Sequence, residues 1–130
     1  MGAIWYTTVM SIQQLTIKGS LAKLNDHDSA NRANKYGGAA LKKRMTELVM
    51  LQCGKLKPIE GESIITFHWF VSGKHDYDNV RFSAKYILDG MVKSGKLPND
   101  SPKYIVGFGG DYFTKVGKGE EKVIVEIDTE

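Results

Sequence analysis

Ser63-Ile64-Ile65-Thr66-Phe67-His68-Trp69-Phe70-Val71-Ser72 is the stretch on which the fold turns. Its residues are mainly β-branched or aromatic, the side chains that fit a packed, pleated surface. A short apolar run of this kind, left by Gly73, reads as a strand buried in the middle of a sheet. Phe67 and Trp69 project from one strand face and are expected in a core or a dimer interface rather than on a stacking platform. His68, inside the same run, is expected to be a satisfied sheet residue and not a ligand.

Downstream of this strand, Asn79 to Lys93 carries Val80, Ala84, Ile87, Leu88 and Met91 on one helical face. Ser94 to Pro102 is a loop. Tyr104 to Phe108 reads as a short strand, Gly109-Gly110 as a bend, and Tyr112 to Val116 as a candidate continuation of the ladder. Gly107-Phe108-Gly109-Gly110 lacks the Lys-Ser/Thr of a phosphate loop and opens no helix, so it is a bend or bulge. Gly117-Lys118-Gly119-Glu120 reads as a hairpin turn into a last strand, Lys122 to Asp128, where Val123, Val125 and Ile127 alternate.

Upstream, Ile12 to Lys18 is a first strand, ended by Gly19, and Ser20 to Asp28 is a polar loop. Asp28 or Ser29 can cap one long helix running to about Cys53, with Gly37-Gly38 as its weak point. Leu41, Met45, Leu48, Val49 and Gln52 form its inner stripe. Gly54 breaks it, and Lys55 to Glu62 is a turn. The order β-α-β-α-β-β describes a single α+β domain over residues 1–130, a small mixed β-sheet with two main helices. Residues 1–10 read as a candidate N-terminal extension, with Met10 an alternative start.

The 130 residues suffice for one domain with a true core. A formal net charge of +3 permits an acidic partner such as nucleic acid without demanding one. The lone Cys53 excludes an internal disulfide framework and is expected to be a buried structural thiol. No apolar run is long enough to span a membrane, and the N-terminus lacks the basic leader of a signal peptide. A reducing, cytoplasmic setting is expected.

Chemistry concentrates after the central strand. Asp76 and Asp78 stand at i and i+2, which on an extended chain point to one side. A third carboxylate, Asp100, can fold back to meet them. Carboxylate oxygens are hard ligands suited to Mg²⁺ or Mn²⁺, and three acids around a cation can activate water against a phosphodiester. The plain alternative is a polar turn, which also favours Asp and Asn. Lys85 and Asp89 lie four apart on one helix and read by themselves as a solvated ion pair. Arg32, Lys35, Lys42, Lys43 and Arg44 make a basic helical surface. With Arg81 they are the best candidates for backbone-phosphate contact. His75 abuts the acids and can touch a phosphate.

The pattern Asp76-x-Asp78-Asn79, then Lys85-x-x-x-Asp89-Gly90-Met91, then Asn99-Asp100, resembles the RusA family of Holliday junction resolvases. The resemblance extends over about Leu15 to Ile127. The interval from Asn79 to Lys85 is longer than in the family's founding member, and Asn99-Asp100 stands where the family has two acids, so only Asp100 carries over. The resemblance implies a Mg²⁺-dependent homodimeric endonuclease that cuts branched DNA at four-way junctions. It implies that Asp76, Asp78 and Asp100 bind the metal and that Lys85 sits near the scissile phosphate. A two-fold junction suits a two-fold dimer, with the Ile64–Val71 strand and the N-terminal segment as the expected interface. Two other readings stay open: a catalytically inactive nucleic-acid-binding protein of the same fold, and a metal nuclease for other branched or single-stranded DNA.

Overall fold

The computed structural model describes residues 11–19, 21, 24–34 and 36–130. Met1–Met10 and Lys35 lie outside the described residues, so the candidate extension and one expected phosphate contact are not placed. The elements are β1 (Ser11–Lys18), α1 (Leu24–Ala33), α2 (Gly37–Gln52), β2 (Ser63–Val71), α3 (Tyr77–Arg81), α4 (Ala84–Lys93), β3 (Ile105–Lys115) and β4 (Lys122–Thr129). They form the expected mixed α+β fold: one four-stranded sheet in the order β1-β4-β2-β3. β4 is antiparallel to both β1 and β2, and β2 is parallel to β3.

The helices lie over one sheet face. Ile65, Phe67 and Trp69 of β2 and Val125 and Ile127 of β4 point into that layer, where they meet Val49 of α2 and Ile87 and Met91 of α4. The strand alternation that places them also leaves Ile64 and, on β1, Ile12 exposed on the opposite side. The β2 reading holds: the strand is central, flanked by β4 and β3, and Phe67 and Trp69 are core. A central strand has no free edge to offer a partner, so β2 cannot pair with a second copy as an edge strand.

Four local expectations change. The single helix from Ser29 is two helices, and the polar loop before it is already helical from Leu24. The break comes where Gly37 and Gly38 let the chain turn back. Asn31 Oδ1 accepts the Gly38 N–H at 2.9 Å, and a Cβ at Gly37 would lie 2.0 Å from the Ala30 carbonyl oxygen. Secondly, the helix expected over Asn79 to Lys93 starts earlier and is split, because Ser83 Oγ donates to the Val80 carbonyl at 2.8 Å and closes α3. Thirdly, the Gly109-Gly110 bend lies inside one continuous β3. It appears there as a register shift against β2 between Ile65 and Thr66, a bulge. Finally, Gly117–Glu120 is a turn but not a hairpin. β4 passes β2 and pairs on its far side, where its apolar face is covered from both neighbours.

Gly90 fixes the helical layer. A Cβ there would lie 2.6 Å from Val49 Cγ1 and 3.0 Å from the Thr46 carbonyl oxygen, so α4 approaches α2 as closely as it does only through a glycine. Cys53 is buried and donates to the Val49 carbonyl, as a structural thiol would; burial pushes its pKa up, away from a nucleophilic thiolate.

Candidate functional site

The parallel connection β2–α3–α4–β3 carries every residue of the acidic pattern. β2 ends at Val71, and Gly73, at φ +75°, turns the chain out of the sheet. Helix α3 then begins at Tyr77, with Asp76 as the residue that precedes it. The two acids therefore do not share one extended segment: Asp76 keeps an extended backbone at φ −67° and ψ 138°, and Asp78 lies within the helix. Asp76 lines a cleft, while the Asp78 side chain is 92% exposed and faces Arg81 at 3.8 Å.

Arg81 is correspondingly not an open phosphate contact. Its Nε also lies 3.2 Å from Asp111 Oδ2, and Asp111 Oδ1 accepts the indole N–H of Trp69 at 2.8 Å. Asp111 thus ties the buried tryptophan of β2 to the arginine of α3. Its role is hidden in the sequence because it lies in a Gly- and aromatic-rich strand segment. The one available signal was a lone acid amid apolar strand residues, which must find a partner if half-buried.

Two clefts flank this connection. The first, about 530 Å³, is lined by Lys74, His75, Asp76, Tyr77, Asn79 and, from β3, Phe113 and Lys115. His75 is where its position beside the acids suggests. The second, about 520 Å³, lies between α2 and α4 and is lined by Lys42, Lys43, Thr46, Asp89, Lys93, Asn99 and Asp100. Lys42 pairs with Asp89 at 3.4 Å, so Asp89 answers a helix α2 lysine rather than Lys85 four residues away. Lys85 instead sets its ammonium 5.2 Å from the Phe82 ring centroid. Arg32 Nη2 lies 3.4 Å from Ser29 Oγ on α1.

Asp76 and Asp100 therefore line different clefts, and Asp78 faces solvent. Among the described residues no three His, Cys, Asp or Glu side chains gather around a cation-sized space. Asp76, Asp78 and Asp100 each have the right chemistry for a hard divalent cation. The structure brings together a different set: Asp100 with Asp89, Asn99 and three lysines, and Asp76 with His75, Lys74 and Lys115.

No protein-family model matches the chain, and no curated protein matches it. Among solved structures, it is similar to a chain in the crystal structure of a HypE-HypF complex, at 9% identity and a TM-score of 0.36. That match covers 92% of this chain, which spans only 31% of the other. Among the described residues no helix is long and apolar enough to cross a membrane.

Proposed function

We propose that this chain is a metal-dependent endodeoxyribonuclease that cuts four-way DNA junctions as a homodimer, as its resemblance to the RusA family implies. One observation carries the reading. The acids, amides and lysine of the pattern all sit on one crossover between parallel neighbouring strands, most of them at or near element ends, beside two clefts lined by lysines. Loop and element-end residues on a rigid sheet are where catalytic groups are held. Lysines beside them supply the phosphate attraction any DNA enzyme needs. A divalent cation, held by Asp76, Asp78 or Asp100, would supply charge relief at the phosphate. Lys85, on the first turn of α4, would act on the developing negative charge. The setting is the cytoplasm, where an exposed junction is met.

A second reading has its own support. The separation of Asp76 from Asp100 favours a nucleic-acid-binding protein that keeps the fold and the basic clefts without catalysis. Labelled four-way, flap and linear DNA, each with Mg²⁺, with Mn²⁺ and with chelator, separates the two. The enzyme reading expects metal-dependent, symmetric cutting of the four-way junction. Binding of the junction with no cutting under any metal would leave the binding protein. Light scattering at micromolar protein is expected to give a dimer, and a monomer with and without junction DNA would remove that element of the proposal.

A further inference from the structure

Five aromatic rings form a nearly parallel ladder across the helix-covered side of the sheet. Phe108 lies 6.3 Å from Phe67, Phe67 5.3 Å from Trp69, Trp69 6.5 Å from Phe113, and Phe113 3.9 Å from Tyr77, with interplanar angles of 20° or less. The inner members are core: Phe67 and Trp69 are 3% and 2% exposed. Tyr77 is the outermost rung beside the acids. One face of its ring rests on Phe113, yet the residue is 61% exposed. It is thus a large ring held rigidly from behind and open in front.

A single exposed ring is common on a protein surface; this one differs in being stacked on Phe113 and in the groups that share its cleft. The surroundings here say what kind of molecule would. Tyr77 shares the first cleft with Lys74 and Lys115, against the single carboxylate of Asp76. Among the described residues neither lysine pairs with a carboxylate. A flat ring in one cleft with two lysine ammonium groups matches a nucleotide: a base for the ring, phosphates for the lysines. An acidic peptide would match the lysines but does not carry a flat ring beside every charge, and a duplex keeps its bases stacked inside. We infer that Tyr77 is a stacking platform for one unpaired nucleobase of branched DNA, with Lys74 and Lys115 on the flanking phosphates. This rests on the DNA reading above and adds to it a means of telling a branch point from a continuous duplex, because only a branch point releases a base at little cost.

The test is anisotropy of labelled DNA in chelator, so that no cutting intervenes. The probes are a four-way junction, the same junction with abasic sites at its branch-point nucleotides, and a linear duplex. The proteins are wild type, Tyr77→Ala and Tyr77→Phe, each checked by circular dichroism. Tyr77→Ala is expected to weaken junction binding by about 5- to 100-fold, the worth of one stacked base. Tyr77→Phe should stay near wild type. Removing the branch-point bases should weaken wild type by a similar factor and leave Tyr77→Ala unchanged, and duplex binding should not respond to either substitution. If Tyr77→Ala binds the junction as wild type does, or loses junction and duplex equally, the platform is overturned. If wild type binds none of the three DNAs, the DNA reading itself falls, a result distinct from either of those.

Discussion

The two clefts carry the same kinds of polar group and are built differently. The first is walled by the ends of β2 and β3 and by α3, and its aromatic side is braced on the core through Phe113 and Trp69. The second is walled by two packed helices, and its charges are partly spent on each other, since Lys42 already answers Asp89. A lysine facing a carboxylate in the same wall gains little from a ligand, because it must first leave its partner. A lysine with no such partner keeps its full attraction for phosphate. Lysine count alone would rank the second cleft first, three to two, although its two acids against one leave the formal charges equal. Pairing removes that lead, leaving two lysines without a carboxylate partner in each cleft among the described residues, and the exposed ring gives the first cleft the stronger claim on a nucleic acid.

The largest expected effect separates the clefts at the level of chemistry. Asp76→Asn and Asp100→Asn replace a hard anionic ligand by a neutral amide with little change of shape. If both acids serve one reaction, each should lower single-turnover junction cutting by about 100-fold or more, with junction affinity in chelator held within a few-fold. A cutting rate that falls with Asp76→Asn and stays at wild type with Asp100→Asn would confine catalysis to the first cleft. It would also remove Asp100 from the site.

Next in size is a change that deforms the second cleft and spares the first. Gly90→Ala puts a methyl group 2.6–2.7 Å from the Val49 side chain, at the contact between α2 and α4. Alanine improves helix propensity by up to about 1 kcal/mol, but the forced shift in a packed core costs about 1–3 kcal/mol. The net is expected to be destabilising, with a Tm several degrees lower. Gly90→Ala with Val49→Ala should lose less than the sum of the two single changes, because the second removes the obstacle to the first. Loss of DNA binding in Gly90→Ala in proportion to the second cleft's distortion, at a temperature where it remains folded, would return that cleft to the DNA path.

How much of this was legible in the sequence follows from the range of the interactions involved. Ser63–Val71 could be read because its composition is dictated by local packing on both sides, and the alternation in Lys122–Thr129 likewise announced a one-sided strand. The placement of β4 beyond β2 could not be read, since the Gly117–Glu120 turn has the same local chemistry whether or not it closes a hairpin. The end of α1 at Ala33 was half visible in Gly37-Gly38; what completes the turn is the Asn31 side chain, which accepts from Gly38, seven residues away. At the site, the i, i+2 argument for Asp76 and Asp78 assumed extended backbone. The chain is helical from Tyr77, and that change of periodicity removes the alternation that would set the two carboxylates on one side. Trp69–Asp111 and Lys42–Asp89 join distant segments, and nothing local names the partner of either acid. Tyr77 was passed over as the variable residue between two acids, and only its stacking on Phe113 shows what it can do.

The smallest expected effect asks whether the second cleft is a site at all. Thr46 faces it from α2, is 2% exposed, and its hydroxyl has no hydrogen-bond partner among the described residues. A buried hydroxyl left unpaired costs about 1–3 kcal/mol, and replacing it by an apolar group of the same shape recovers part of that. Valine is such a group, with a helix propensity close to that of threonine. Thr46→Val is therefore expected to raise stability by up to about 1 kcal/mol, a Tm gain of roughly 3–6 °C for a domain of this size. Junction affinity decides what the hydroxyl is for. If affinity is unchanged while Tm rises, Thr46 is only an imperfection of the helix packing and the second cleft is a seam between α2 and α4. If affinity falls and Thr46→Ser restores it, the hydroxyl is a donor waiting for a ligand, and the contrast between the two clefts drawn from pairing is wrong.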